Sequence, residues 1–445
     1  MDVKDLKEAI SAASNAFYKW KNTTPKTRAN ILKKWHDLIV ENKEELARII
    51  TSEQGKTLIE AKGEVDYSAS YIEWFSEESK RMYGDIIPPG TSNQRLAVIK
   101  QPVGVCALLT PWNFPMAMGA RKIAPALASG CTVVLKPSQK TPLSSLSLVK
   151  LAEVAGTPPG VINVVTTSHT GTYPDIGNEL ASNPDVRKVS FTGSTQVGKQ
   201  LLKLAASTVK KVSMELGGNA PFIIFDDADL DMAVKGAIAS KFRNSGQTCV
   251  SANCIFVQSE VYETFSDRFI KAARDLKAGN GLEENVDFGP LINEQALKKV
   301  KAYVDDAVAK GATLALGGKV HSLGGNFFEA TVLKYVKANK DLLEKEIFGP
   351  VAPLICFQSE EEVLQLVNST RFGLAAYFYT KDLQRSWRVS EALEFGMIGL
   401  NSPSVSTEVA PFGGVKESGV GREGSKYGLD DYTEIKSICI GNISA

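Results

Sequence analysis

Apolar side chains recur at helical spacing through about the first eighty residues. A first helix has an apolar face over residues 6–20 and ends near Asn22, and a second begins near Pro25. A third helix is predicted from about Lys56 to Tyr83. Acidic residues are interspersed in the first helix, so we interpret it as a surface helix of the domain and not as a targeting segment.

Beyond a turn at residues 88–90, short apolar runs alternate with longer helical stretches. The predicted strands are 105–109, 132–135, 161–165, 188–191, 222–225, 254–257 and 351–357. Strands that alternate with helices are typical of right-handed βαβ units and a parallel sheet. We therefore predict an α/β fold with two units that meet near residue 216. The apolar run 435–440 has no local partner and is predicted to complete a sheet elsewhere, in this chain or in another subunit.

The composition is that of an ordinary soluble globular protein, with 43% hydrophobic and 23% charged residues in a chain of 445. A formal net charge of +1 argues against nucleic acid as a partner. No apolar run reaches the about 20 residues that span a membrane. The six cysteines have neither metal-site spacing nor the density of a secreted disulfide framework. We expect reduced thiols, no bound metal and a cytoplasmic location, with the mitochondrion as the alternative.

Two segments that follow predicted strands are candidates for binding phosphate or ribose. Residues 190–198 follow a strand and open a helix, where backbone N–H groups and the positive helix end face a bound anion. Gly193 permits a tight turn there, and Ser194 caps the helix or contacts the anion. Lys136 and Ser138 follow another strand, at the edge where doubly wound sheets bind ligands. Considered singly, these segments are better interpreted as an ordinary capped turn and a solvated loop lysine.

A thiol and a carboxylate are the candidates for covalent chemistry. Cys249 follows a polar, glycine-containing stretch just before a strand, whereas Cys254 lies within that strand. A loop gives a thiol the access that nucleophilic attack needs, although most free cysteines are small buried hydrophobes. Glu215 ends an otherwise apolar strand, where a carboxylate is costly to bury unless it is paired or serves as a base. The three histidines show no matching pattern, which argues against a Cys–His pair.

Several segments together resemble the aldehyde dehydrogenase superfamily, in the family's order and over nearly the whole chain. They are residues 110–115 (Thr-Pro-Trp-Asn-Phe-Pro), 136–138 (Lys-Pro-Ser), 191–195 (Phe-Thr-Gly-Ser-Thr), 215–218 (Glu-Leu-Gly-Gly), 246–249 (Gly-Gln-Thr-Cys), 346–350 (Glu-Ile-Phe-Gly-Pro) and 411–414 (Pro-Phe-Gly-Gly). So many motifs in order outweigh the alternative interpretations of the single segments.

The resemblance implies a set of catalytic residues. Cys249 would attack the aldehyde carbonyl to form a thiohemiacetal. Asn113, with the backbone N–H of Cys249, would stabilise the oxyanion, and one such donor is typically worth about 3 kcal/mol. Loss of hydride would leave a thioester, and Glu215 would activate the water that hydrolyses it. Lys122 matches a lysine near the catalytic centre.

The resemblance also implies a nicotinamide dinucleotide. Lys136 would hold the adenosine ribose, Gly193 and Ser194 the pyrophosphate and Glu346 the nicotinamide ribose, while Phe348 would pack by the nicotinamide. The full expected set is Thr110, Pro111, Trp112, Lys136, Ser138, Gln139, Gly193, Ser194, Gly198, Leu216, Glu346 and Phe348.

The position of Gln139 bears on which dinucleotide is used. NAD-dependent members often have a glutamate there, which would accept from the ribose 2′-OH and repel a 2′-phosphate. A neutral side chain removes that repulsion, so we expect NADP or NAD, with NADP favoured.

Within the family, residues 241–249 and 421–428 look most like the succinate-semialdehyde dehydrogenases. Arg121 and Arg243 stand where that branch places its carboxylate clamp, and a guanidinium recognises a carboxylate through two parallel hydrogen bonds. Ser406 and Phe412 complete the expected substrate set. The alternatives are glutaric semialdehyde or a broad range of aldehydes, because a one-methylene difference is worth only about 1–3 kcal/mol.

The resemblance implies three structural parts. They are a dinucleotide-binding domain (1–85 and 103–216), a catalytic domain (217–428) and a small β-hairpin oligomerisation element (86–102 and 429–445), in a homodimer or homotetramer. The chain starts at the first amphipathic helix, without the β-rich segment of longer members, so a truncated non-catalytic relative is the alternative of another class. Ser251 occupies the position of a second cysteine in many relatives of this branch, so no disulfide is expected there.

Overall fold

The structure is a computed structural model that describes residues 1–167, 173–338 and 344–443, with the backbone alone for residues 173 and 174. His169, one of the three histidines, and the last two residues of the predicted element 429–445 lie outside the described residues. Within those residues, no helix is long and apolar enough to cross a bilayer. No group of three or more His, Cys, Asp or Glu side chains in the described part is arranged to hold a metal ion.

Four helices form the N-terminal part of the chain. They are α1 (Val3–Trp20), α2 (Pro25–Glu41), α3 (Lys43–Gln54) and α4 (Leu58–Glu78). Asp2 begins α1 with a capping box, and Thr57 begins α4 with another, through Glu60. The helix predicted at 56–83 is shorter because Thr57 caps it and the chain tightens into a 3-10 turn after Glu78.

A six-stranded sheet follows these helices. Its strands are β3 (Val105–Leu109), β4 (Thr132–Lys136), β5 (Ile162–Val164), β6 (Val186–Thr192), β7 (Lys211–Glu215) and β15 (Gly419–Val420), in the order β15-β7-β6-β3-β4-β5. All pairs are parallel except β15 with β7. The helices between the strands are α5 (Ala117–Ser129), α6 (Pro142–Val154), α7 (Tyr173–Ser182) and α8 (Thr195–Ala205). Every residue of β3 and β4 is buried, as expected for a parallel sheet covered on both faces.

A seven-stranded sheet forms the second unit. Its strands are β8 (Ala220–Ile224), β9 (Ala252–Gln258), β10 (Thr313–Leu316), β11 (Thr331–Lys334), β12 (Val351–Phe357), β13 (Ala375–Tyr379) and β14 (Met397–Leu400), in the order β10-β11-β12-β9-β8-β13-β14. Its helices are α9 (Leu230–Phe242), α10 (Tyr262–Arg274), α11 (Glu294–Ala309), α12 (Glu360–Asn368) and α13 (Leu383–Ala392). The predicted α/β class is confirmed.

A third, antiparallel sheet joins distant parts of the chain. It consists of β1 (Asp85–Ile87), β2 (Arg95–Pro102) and β16 (Thr433–Ile440) in the order β1-β2-β16. The terminal strand β16 therefore pairs with β2 of its own chain along its whole length, from Thr433 opposite Pro102 to Ile440 opposite Arg95. The division of the chain into three functional parts stays a prediction.

Candidate active site

A cavity of about 840 Å³ lies beyond the carboxyl ends of β3, β6 and β7 of the six-stranded sheet, and residues of the second unit that precede β9 and β12 complete its lining. Thirteen of the predicted site residues line it. They are Pro111, Trp112, Asn113, Arg121, Gly193, Ser194, Leu216, Arg243, Cys249, Glu346, Phe348, Ser406 and Phe412. The other seven predicted residues are not part of its lining. They are Thr110, Lys122, Lys136, Ser138, Gln139, Gly198 and Glu215.

Cys249 lies in a turn just before β9, at the end of a loop with unusual backbone geometry. Asn244 and Ser245 in that loop have φ values of 51° and 56°, in the left-handed region. The Cys249 side chain is half-buried in the cavity wall. Burial raises the pKa of its thiol to about 12, and the positive charge of Arg121 acts in the opposite direction. The thiol is therefore neutral at pH 7 and has to lose its proton when it attacks.

The Asn113 side chain has a fixed orientation in the cavity wall. It is buried, and its Nδ2 donates to the backbone oxygen of Gln247 at 3.0 Å. Because the acceptor is a carbonyl, the bond fixes which end of the amide is the donor. The amide has a second N–H, which is left to interact with a group in the cavity.

Behind the cavity wall, Glu215 lies in a buried cluster of charges. Lys122 Nζ and Arg121 Nε both pair with the Glu423 carboxylate. Burial disfavours the charged form of that carboxylate, but the attraction of the two cations is stronger, so the pKa of Glu423 is lowered. Burial and the charge of Glu423 raise the pKa of Glu215 well above its ordinary range. No described residue hydrogen-bonds Glu215 Oε2.

Sequence reasoning missed Glu423. Its segment, 421–428, contributes to the family resemblance, but nothing in the local pattern shows that its carboxylate is buried. Tyr67 and Phe114 also line the cavity; Phe114 belongs to the motif 110–115 but has no assigned role there, and Tyr67 has no signal in the sequence beyond an ordinary helix position.

One end of the cavity has donors suited to an anion. Ser194 caps the start of α8, and its Oγ accepts from the Val197 N–H at 3.4 Å. Thr192 and Thr195 have buried hydroxyls without a hydrogen-bond partner among the described residues. A side chain at Gly193 would overlap the Phe191 ring. This open, donor-rich helix start fits the pyrophosphate of a dinucleotide.

An aromatic pair and a carboxylate also line the cavity. Trp112 and Phe348 pack edge to face with 5.6 Å between ring centroids. Glu346 accepts from the Gly218 N–H at 3.3 Å, and burial raises its pKa to about 7. Lys136 lies deeper, its pKa lowered to about 8 by burial, and its Nζ donates to the Pro137 carbonyl at 3.1 Å.

Two guanidinium groups reach the other end of the cavity, and they differ in environment. Arg243 is exposed, lies 4.9 Å from the Phe114 ring, and forms no ion pair with any described residue. Arg121 is 1% exposed, lies 4.1 Å from the Phe412 ring, and is already paired with Glu423. Arg243 therefore presents an unshared positive charge to a ligand, whereas that of Arg121 is partly neutralised.

The sequence model of the aldehyde dehydrogenase family matches residues 1–438. The chain belongs to that family. The chain is 58% identical over 444 residues to the mitochondrial succinate-semialdehyde dehydrogenase of Oryza sativa, with 100% of this chain and 84% of the relative covered. It is 56% identical to the NADP(+) succinate-semialdehyde dehydrogenase GabD of Escherichia coli (99% and 91%) and 56% identical to the glutarate-semialdehyde dehydrogenase of Pseudomonas aeruginosa (100% and 91%).

Solved structures of the family show the same fold. An E. coli enzyme described as NADP dependent superposes with a TM-score of 0.97 at 56% identity, covering 99% of this chain and 91% of that one. A betaine aldehyde dehydrogenase from Staphylococcus aureus, in complex with NAD+, superposes with a TM-score of 0.95 at 36% identity (100% and 88%). The resemblance seen in the sequence motifs is thereby confirmed.

Proposed function

We propose that this chain oxidises succinic semialdehyde to succinate with NADP or NAD, through a thiohemiacetal and then a thioester on Cys249. The observation that carries the proposal is one cavity with a half-buried thiol, a fixed amide donor at Asn113 and an unshared guanidinium at Arg243. The family membership and the names of the relatives from rice and E. coli support it.

The chemistry begins with attack of the Cys249 sulfur on the aldehyde carbon. The thiol is neutral at pH 7, so its proton passes to solvent water in the cavity as the C–S bond forms and the carbonyl oxygen becomes the oxyanion. The free N–H of Asn113 stabilises the negative oxygen, and one such donor contributes about 3 kcal/mol. When bound, the nicotinamide supplies the hydride acceptor, and the donor-rich start of α8 with Glu346 and Lys136 would hold the dinucleotide.

Hydrolysis of the thioester requires a base, and Glu215 is the proposed one. Its raised pKa makes it a better proton acceptor than an ordinary carboxylate. Glu215 does not line the cavity. To take a proton from the attacking water, its side chain would move toward the cavity, or a second water would relay the proton. The Glu423–Lys122–Arg121 cluster sets the charge around it.

The substrate's own carboxylate is proposed to bind Arg243, with Arg121, Ser406 and Phe412 completing that end of the cavity. A glutarate-semialdehyde dehydrogenase at 56% identity favours glutaric semialdehyde as the second candidate, since it carries the same carboxylate on a longer chain. Both candidates need a cation at this end of the cavity.

We also propose the three-part division of the chain given above, a homodimer or homotetramer, and a cytoplasmic location with the mitochondrion as alternative. The antiparallel sheet of β1, β2 and β16 supports the proposed oligomerisation element. Its exposed apolar side chains include Ile86 and Ile435.

Initial rates with a panel of aldehydes test the proposed function. Succinic semialdehyde, glutaric semialdehyde and butanal are each measured with NADP and with NAD. We expect the highest kcat/KM with succinic semialdehyde and activity with NADP at least equal to that with NAD. No cofactor reduction with any aldehyde would contradict the proposal, and butanal as the best substrate would contradict the role of Arg243.

A further inference from the structure

The backbone oxygen of Asn113 is held by two buried donors. Lys56 Nζ donates to it at 2.8 Å, and Asn244 Nδ2 donates at 3.0 Å. Lys56 lies just before α4, and Asn244 lies in the loop that leads to Cys249. The residue whose side chain faces the cavity is thus fixed through its main chain from two sides.

Lys56 is held in place by a buried ion pair. Its side chain and that of Glu64 are both inaccessible to solvent, and Lys56 Nζ lies 2.6 Å from Glu64 Oε2. The other oxygen, Glu64 Oε1, accepts from the N–H groups of Met116 at 2.9 Å and Ala117 at 3.2 Å, where α5 begins. A buried lysine needs such a partner. The carboxylate that holds the Lys56 ammonium is therefore itself held by the start of α5.

The same network includes the loop that carries the nucleophile. Gln54 accepts from the Lys56 N–H at 2.8 Å and donates to Asn244 Oδ1 at 2.9 Å. Asn244 and Asn113 both donate to the Gln247 backbone oxygen, two residues before Cys249. Lys56, Glu64, Gln54 and Asn244 do not line the cavity, so none of them is placed to touch a substrate.

Resting on the function proposed above, we propose that Lys56 is a positioning residue for the acylation step. Its ammonium, paired with Glu64, holds the Asn113 backbone so that the free amide N–H faces the carbonyl oxygen of an aldehyde on Cys249. A reacting group displaced by about 1 Å loses rate by up to ~100-fold. Loss of this anchor is therefore expected to lower kcat by roughly 10- to 100-fold, with the KM for both substrates changed by less than about 2-fold.

Two variants separate positioning from simple stabilisation. Lys56→Met keeps the side-chain volume but leaves Glu64 unpaired, so it can fail to fold. The double variant Lys56→Met/Glu64→Gln removes both buried charges and avoids that penalty. Arg28→Met is the matched control, because Arg28 is a buried cation whose Nε donates to the Ala128 carbonyl at 2.9 Å, at the other end of α5.

The experiment measures melting temperature, steady-state kinetics and alkylation of Cys249 by iodoacetamide. Alkylation generates no oxyanion, so it reports the thiol and its loop without the contribution of Asn113. We expect the double variant to lose kcat by 10- to 100-fold, to keep both KM values, and to be alkylated at the wild-type rate. Arg28→Met should keep the wild-type kcat although its melting temperature falls.

Two results with the variants would overturn the inference. Wild-type kcat in the folded double variant would overturn it alone, while the proposed function would stand. A parallel loss of kcat and alkylation rate, matched by Arg28→Met, would show that the ion pair is only structural. A wild-type protein without aldehyde oxidation would overturn the proposed function, and the inference with it.

Discussion

Arg243→Met should turn the enzyme from a preference for a carboxylated aldehyde toward an uncharged one. Arg243 is exposed at the cavity, lies beside Phe114, and forms no ion pair within the described chain. Methionine keeps much of the apolar stem over the Phe114 ring and removes the guanidinium. The change therefore affects the charge that the substrate carboxylate would meet and little else.

The magnitude follows from the environment of the guanidinium. A hydrogen bond to a charged group is worth about 1.5–3 kcal/mol. Because Arg243 is exposed and screened by solvent, the lower part of that range, about 1.5–2 kcal/mol, applies. Since each 1.36 kcal/mol is a factor of ten, kcat/KM for succinic semialdehyde should fall roughly 10- to 30-fold.

The assay compares kcat/KM for succinic semialdehyde and for butanal, which has the same chain length without the carboxylate. Butanal should change by less than about 3-fold. Arg48→Met, an exposed arginine in α3 away from the cavity, is the control and should leave both values unchanged. Equal losses for the two aldehydes in Arg243→Met would refute the reasoning that Arg243 binds the substrate carboxylate.

Three further predictions concern the base, the cofactor and the phosphate loop. The pKa of Glu215 is raised above its unfolded value of 4.5, so the folded state holds a proton that the unfolded state loses, and stability falls as pH rises above about 4.5. Glu215→Gln lacks this titration, so its melting temperature relative to wild type should increase as the pH is raised above 5; a constant difference would argue against the raised pKa. Gln139→Glu should raise the KM for NADP more than the KM for NAD, by roughly 10-fold or more, because about 1.4 kcal/mol of repulsion is expected between the new carboxylate and the 2′-phosphate. An unchanged ratio of the two KM values would show that Gln139 does not select between the two cofactors. Gly193→Ala should weaken dinucleotide binding at least several-fold in a titration, since the added Cβ displaces the Phe191 ring, and wild-type affinity would contradict a close backbone approach there.

Much of the fold could be predicted from the sequence because strand and helix periods alternate cleanly. The runs at Val105–Leu109 and Val351–Phe357 are strands with those bounds. The partner of the terminal strand could not be predicted, because β16 pairs with β2 more than 300 residues away, and register between distant strands leaves no local signal.

The site was predicted unevenly, for physical reasons. Cys249, Asn113 and Arg243 belong to recognisable motifs or loops, and the structure brings them to one cavity. The sequence around Lys56 and Glu423 gives no local indication that either charge is buried. Their importance comes from burial and from partners far along the chain, which only the folded structure supplies.

The sequence also does not distinguish two side chains of one type that lie in different environments in the folded protein. Arg121 and Arg243 looked equivalent in the sequence, as two arginines of one clamp. The structure pairs Arg121 with Glu423 and leaves Arg243 without an ion pair among the described residues. Only the second is a simple target for testing carboxylate recognition.

The central claim is that Cys249 carries the acyl group, and mass spectrometry tests it directly. Glu215→Gln is mixed with succinic semialdehyde and oxidised cofactor, quenched and digested. A single adduct with the mass of a succinyl thioester is expected on the peptide that contains Cys249, and none in Cys249→Ala. A folded Glu215→Gln variant that reduces the cofactor without any adduct on Cys249, or with the adduct on another thiol, would contradict the account.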